Sequence, residues 1–443
     1  MVQGRTRSRV LTQGDRHGVQ EDSREEQEQS HRRGSSREKK KLGKQGVLLL
    51  TVNGLFSAAN ALSGTFMGVY LWKAKNDFAT IGWFMLVTHF TMALTFWLAG
   101  KWVKEHNKMI VLRLGIALFA LFYLLLLYFG VNSVRHILLL GFVQGMASGF
   151  FWLSFNVVYF EITEPGNRDR FNGWTGTLVA VSGMAAPWLS GLIIASMTGN
   201  SGYRVVFTIS TAIFIAGVVV SFFLAKRKLL GTYNWMLPLQ CLRDKEAPWR
   251  SIAAALVAQG VREGVFGFLI ALLVYIATTS EQKLGNYALI TSGVSFFSNW
   301  LVGRMLKPVW RRQGMFVGVI MLILVILPFF WKVSFGTLLV FGVGTALFMP
   351  LFSIPMTSAV FDLIGRYEES VKQREEFIVM RELALNVGRI GGTFLFITIV
   401  SWNHSPLVLN LLLLGIGSSP FFTWLYMRRY LDGISPAGHL LTE

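Results

Sequence analysis

Twelve apolar stretches, most of them 19 to 27 residues long, follow one another between Val47 and Tyr430 with short polar connectors between them. A bilayer core is about 30 Å thick and a helix rises about 1.5 Å per residue, so about 20 apolar residues cross it. Inside lipid each backbone N–H and C=O must be paired within the chain, which at this length and composition means helices. The stretches cover residues 47–72, 78–100, 109–130, 136–160, 171–197, 203–225, 251–277, 284–306, 313–331, 334–361, 377–400 and 407–430. With 53% of 443 residues hydrophobic and 15% charged, there is more apolar surface here than a water-soluble domain of that size hides. The sequence predicts an all-α membrane protein of twelve transmembrane helices, with the lipid bilayer as its surroundings.

Lys and Arg in short loops stay on the cytoplasmic side. Nineteen of them, among them Lys101, Lys104, Lys108, Arg170, Arg243, Arg250, Arg311, Arg374 and Arg381, sit in or beside the connectors after the even-numbered stretches; the odd-numbered connectors hold six, Lys73, Lys75, Arg135, Arg204, Lys283 and Lys332. Both termini are therefore expected in the cytoplasm, in a multi-pass protein of the plasma membrane. This bias accounts for most of the net charge of +18, so no nucleic-acid partner is expected.

Residues 1–46 hold twelve basic and seven acidic residues and almost nothing apolar, which predicts a disordered basic cytoplasmic tail. A bundle over 47–225, a cytoplasmic central loop over 226–250, a second bundle over 251–430 and a short cytoplasmic tail over 431–443 complete the expected organisation. Cys241 is the single cysteine, so no disulfide forms within the chain. No phosphate loop, HExxH, GxSxG or GxGxxG pattern occurs, so neither an enzyme, a cofactor nor a metal site is expected.

The long connector after Ala225 divides the stretches six and six, a repeat arrangement expected of a carrier. Gly100, Lys101, Trp102, Val103, Lys104, Glu105, His106, Asn107 and Lys108 follow the second stretch, and Gly303, Arg311 and Arg312 follow the eighth; the fifth carries Gly173, Ser182, Ala186, Pro187 and Gly191. In these features the chain resembles the major facilitator superfamily over residues 47–430. The first loop is similar to that family's GxxxDRxGR signature, with Gly100 and Lys108 in place, the acid one position late as Glu105, and Asn107 for the second glycine. The fifth stretch is similar to the family's antiporter pattern, with Ser182 and Ala186 in place of glycines. The resemblance implies two six-helix bundles around a cavity open alternately to each side, a gating role for Gly100, Glu105 and Lys108, and close helix packing that favours export by exchange.

Ionisable groups deep in a membrane are costly and face a cavity or a partner. Arg262 lies eleven residues beyond Ser251, about 16 Å into its helix, with Glu263 beside it. Gln259, Arg262, Glu263 and Phe266 are spaced at three and four, as are Glu382, Asn386, Arg389 and Thr393, so each set marks an interior face. Arg262, Glu263, Glu382 and Arg389 form a charge-balanced set, expected to pair. In it Glu263 is the expected proton carrier and Arg262 its exchangeable partner. Asn60, His89, Trp152, Asn156, Gln259, Phe266 and Asn386 are the candidate substrate contacts.

Aromatics, amides and one acid suit an amphipathic or weakly cationic organic molecule, and sugars almost equally. The expected function is secondary transport of a small organic solute, driven by protons, with export favoured, by a monomer. An uptake permease for sugars or other small solutes, a non-transporting membrane scaffold or sensor, and a lipid-moving protein are the other readings.

Overall fold

The computed structural model describes residues 42–163, 167–226, 231–243, 248–364, 373–403 and 405–431. The expected tails lie outside the described residues over 1–41 and 432–443. Thirteen helices organise the described chain: α1 (Lys44–Lys75), α2 (Phe78–Glu105), α3 (Lys108–Phe129), α4 (Ile137–Ile162), α5 (Arg168–Ser196), α6 (Ser201–Ser221), α7 (Trp249–Thr278), α8 (Glu281–Met305), α9 (Arg311–Leu324), α10 (Phe335–Ile364), α11 (Arg374–Trp402), α12 (Pro406–Gly417) and α13 (Ser419–Met427). A short helix, Leu237–Arg243, lies in the connector before α7.

Polar residues set the boundaries. The Asp77 carboxylate accepts the N–H groups of Ala79 and Thr80 at the start of α2, and Asn107, Ser280 and Ser405 cap α3, α8 and α12 in the same way. Each side chain satisfies a donor that the first helical turn leaves free. Asn76 ends α1 in the left-handed region at φ 53°, a conformation its short amide tolerates.

Ten stretches among the described residues are long and apolar enough to cross a membrane. One of them, Lys108–Ile162, holds α3 and α4 joined by the 3-10 segment Gly130–His136. Glu281–Met305 is not among the ten; Gln282, Asn286, Ser292, Ser295, Ser298 and Asn299 make it polar. Two stretches that read as single spans in the sequence are broken. α9 stops at Leu324 and a 3-10 turn with Pro328 follows, while α12 and α13 are separated at Ser418. Pro328 and Pro420 lack the N–H that would bond the carbonyls of Leu324 and Ile416. Pro187, Pro350 and Pro355 remain inside α5 and α10.

α1 packs on α5 and α6, α2 on α4, and α3 on α4 and α6; α7 packs on α11 and α13, α8 on α10, and α9 on α10. Two long seams join the first six helices to the rest, α2 with α11 and α5 with α8. Stacked rings fill the centre of the first group, where Phe56 lies 3.6 Å from Phe151 and Phe119 lies 5.3 Å from Phe214, centroid to centroid. The C-terminal ends of α2 and α4, the start of α3 and the start of α11 share one end of the molecule, called here the basic face.

At the opposite face Glu281 accepts hydrogen bonds from Lys73 Nζ and Tyr203 Oη, each at 3.0 Å. Burial acts to raise this carboxyl's pKa. Lys73, the Glu281 backbone and Tyr203 outweigh that and hold it below the usual glutamate value.

Candidate functional site

Glycine sets the geometry of the interior. Gly260 and Gly264 on α7 meet Gly388 and Gly392 on α11, and a methyl group on any of the four would strike main-chain atoms of the facing helix: Leu385, Arg389, Val257 or Val261. With no side chains between them the two backbones touch, as small residues at four-residue spacing allow. The Thr393 hydroxyl donates to the Gly264 carbonyl at 3.2 Å and helps fix the register.

That approach brings Glu263 and Arg389 together. Arg389 donates to Glu263 Oε2 from Nη2 at 2.8 Å and from Nε at 3.2 Å, and Gln259 Nε2 donates to the other carboxylate oxygen at 2.8 Å. Arg389 Nη1 also reaches Asn386 Oδ1 at 3.3 Å and lies 3.7 Å from Glu382. Glu382 in turn pairs with Arg381 at 2.6 Å. His89 on α2 borders this cluster from the first six helices, with the Gly264 backbone and the Arg389 charge as neighbours.

The balanced set is therefore Glu263, Glu382, Arg381 and Arg389. The expectation that Arg262 pairs with Glu263 is corrected: the two are adjacent in sequence, and successive helical residues point about 100° apart. Arg381, counted in the sequence among the connector cations, takes the place assigned there to Arg262.

Arg262 turns instead toward a cavity of about 510 Å³ between α7, α8 and α10. Its guanidinium lies 4.7 Å from the Phe266 ring, and Nη1 lies 3.8 Å from Met349 Sδ. Glu263, Phe266, Tyr287, Ser295, Phe341 and Thr345 share the lining. Among the candidate contacts, Phe266 lines this cavity, whereas Gln259 and Asn386 brace the ion pair. Asn60, His89, Trp152 and Asn156 lie on α1, α2 and α4, and none is in its lining. Asn60 and Trp152 are exposed and Asn156 half-buried.

A second buried ion pair lies at the basic face, where Lys104 on α2 meets Glu376 on α11 at 2.6 Å, with side chains 4% and 0% exposed. Asn234 N–H also donates to Glu376, at 3.0 Å. Glu105 accepts the Tyr233 N–H at 2.9 Å and lies 3.8 Å from Lys101, and the Tyr233 ring packs directly on Gly100. Lys108 is buried against Glu161 of α4. Of these partners the sequence shows only the motif side, Gly100, Glu105 and Lys108. Glu376 lies 272 residues from Lys104, beyond the reach of any local spacing rule.

The Major Facilitator Superfamily profile matches residues 49–371. The chain belongs to this superfamily. It is 39% identical over 373 residues to the uncharacterized protein YqgE of Bacillus subtilis (strain 168), an alignment covering 84% of this chain and 86% of that one. Among solved structures, an outward-facing bacterial homologue of the iron transporter ferroportin superposes with a TM-score of 0.63 at 14% identity, covering 88% of this chain and 99% of that one. The nucleoside transporter NupG gives 0.64 at 14% identity, covering 87% and 99%. At that identity the likeness is one of fold, and with the family match it makes the protein a membrane transporter.

In this major facilitator protein the α5 pattern packs only in part. Gly191 and Pro187 lie against Gly285 of α8, Ala186 is buried, Ser182 is half-buried, and its neighbour Gly183 faces Ser292. A methyl group at Gly173 would meet no neighbouring atom within 4 Å. Its expected packing role is corrected, because α5 and α8 have separated by that point. The space between them at the basic face is a cavity of about 660 Å³ that shares Ser292 and Ser295 with the first.

Proposed function

We propose that the protein is a proton-coupled secondary carrier that moves a small organic solute by alternating access, with export the favoured direction. Twelve crossings in two six-helix bundles make up the carrier, α12 and α13 together forming the last. Support for two equivalent bundles comes from the seams: α2 with α11 and α5 with α8 exchange when every helix is advanced or set back by six. The basic face is cytoplasmic, as the Lys and Arg distribution requires.

The observation that carries the reading is the Glu263–Arg389 ion pair, held on a glycine seam beside a cavity. Glu263 takes up a proton, which cancels the charge that Arg389 holds. Arg389 then keeps Glu382 and Asn386, while α7 is freed to shift along α11 and open the cavity to one side. His89 meets the same cluster from α2 and senses its charge. Lys104 with Glu376 latches the cytoplasmic end, and Lys73 with Glu281 and Tyr203 the opposite end, so that opening either side costs one set of contacts while the other persists. The small-residue pattern of α5, with Pro187 and Gly191 on α8, favours export by exchange.

The test uses purified protein in vesicles loaded with a pH-sensitive dye. A transported solute dissipates an imposed pH gradient in wild type, and Glu263→Gln abolishes the proton movement while keeping solute exchange. Proton movement that survives Glu263→Gln unchanged removes Glu263 from the mechanism.

A further inference from the structure

Arg262 is 6% exposed, and its Nε and Nη2 have no hydrogen-bond partner in the protein. These two nitrogens form one edge of the guanidinium, the edge whose parallel N–H groups match the two oxygens of a carboxylate or phosphate. An unpaired buried charge costs several kcal/mol, so proteins keep one only where something repays it. No nearby carboxylate bonds that edge: Glu263 lies next to Arg262 but its oxygens are held by Arg389 and Gln259, and Glu382 is held by Arg381 and Arg389. Thr345 Oγ1, also in the cavity lining, is a second buried polar atom without a partner.

The apolar part of the wall is Phe266, Ile270, Phe341, Ala346 and Met349; Tyr287, Thr291, Ser292, Ser295 and Glu263, the last paired with Arg389, complete the polar part. A cavity of about 510 Å³ is in the range that takes a compact organic ligand. We infer that this cavity binds an amphipathic organic anion, its carboxylate or phosphate held side-on by the Nε–Nη2 edge of Arg262 and by Thr345, its apolar body against Phe266 and Phe341. The inference rests on the carrier reading and names its substrate class; it replaces the weakly cationic or sugar substrate that composition alone suggests. Arg262 serves as the substrate's counter-ion and Arg389 as that of the coupling glutamate.

The test is the thermal midpoint of the full-length protein in detergent with four probes: 2-naphthoate and its uncharged amide, and lysophosphatidate and the matching uncharged monoacylglycerol. A ligand that binds the native form raises the midpoint by mass action. In wild type an anionic probe is expected to bind at least about tenfold tighter than its neutral counterpart, the usual value of charge-assisted hydrogen bonds. A response to 2-naphthoate alone assigns a water-borne anion, and one to lysophosphatidate alone a lipid anion. Arg262→Gln should erase the preference and, without ligand, melt no lower than wild type, since it removes an unpaired charge. Arg262→Lys, which keeps the charge and loses the fork, should show an intermediate preference.

Equal binding of acid and amide, no shift with any of the four, a preference that survives Arg262→Gln, or a ligand-free midpoint lowered as far as in Arg389→Gln would each overturn the proposal. Vesicle proton movement separates this from the carrier reading. A preserved anion preference with no proton movement sinks coupling alone, and coupled flux without the preference sinks the anion site alone.

Discussion

One helix, α7, has two faces that treat arginine differently. Toward α11 its glycines make backbone contact and its Glu263, with Glu382 of α11, meets the charge of the α11 residue Arg389. Toward α8 and α10 it has a cavity and a guanidinium that meets an aromatic ring and a sulfur. A closed network lowers the cost of buried charge through its own partners, whereas an open one keeps that cost until a ligand arrives. On the carrier and anion-site proposals, the α11 face serves stability and coupling, and the cavity face recognition.

Substitutions on the two faces should therefore diverge. The largest effect is expected for Arg389→Gln, which strands Glu263 and weakens the hold on Glu382; a loss of about 3 kcal/mol follows from breaking such a pair, seen as a strongly lowered thermal midpoint. Gly388→Ala forces a methyl group into the Val257 carbonyl and should cost about 1–3 kcal/mol. It should also weaken coupling, because the pair sits on that seam. Arg262→Gln should leave the ligand-free midpoint unchanged or raised, which is the sharpest contrast with Arg389→Gln at the same charge change.

The smallest effect is at the opposite face. Because the folded Glu281 carboxyl is held below its ordinary value of 4.5, its stabilising contribution is full above that pH and fades as pH falls through the lower folded value. Wild type should melt slightly above Glu281→Gln at neutral pH, by less than about 1 kcal/mol for so accessible a pair. The two curves should converge in acid.

Much of the helical scaffold was legible in the sequence because crossing a bilayer imposes a length and a composition that few other structures need. The breaks at Pro328 and Pro420 were not, since Pro187, Pro350 and Pro355 show that a proline by itself does not end a helix. The stripe Glu382, Asn386, Arg389 reads directly from helical spacing, as does the interior position of Glu263. Which arginine pairs with Glu263 does not: sequence adjacency favours Arg262, and only the glycine contact between α7 and α11 selects Arg389. Glu376, Glu161 and Arg381 escaped notice because their partners lie across the fold or because they read as ordinary connector charges.

The most direct test of the central claim, that Glu263 is the group that gains and loses a proton beside Arg389, is an infrared pH titration of the carboxyl stretch in purified protein, comparing wild type with Glu263→Gln. A component of the protonated-carboxyl band that grows in on acidification in wild type and is missing from Glu263→Gln is the predicted result. An identical band in both proteins would contradict the account.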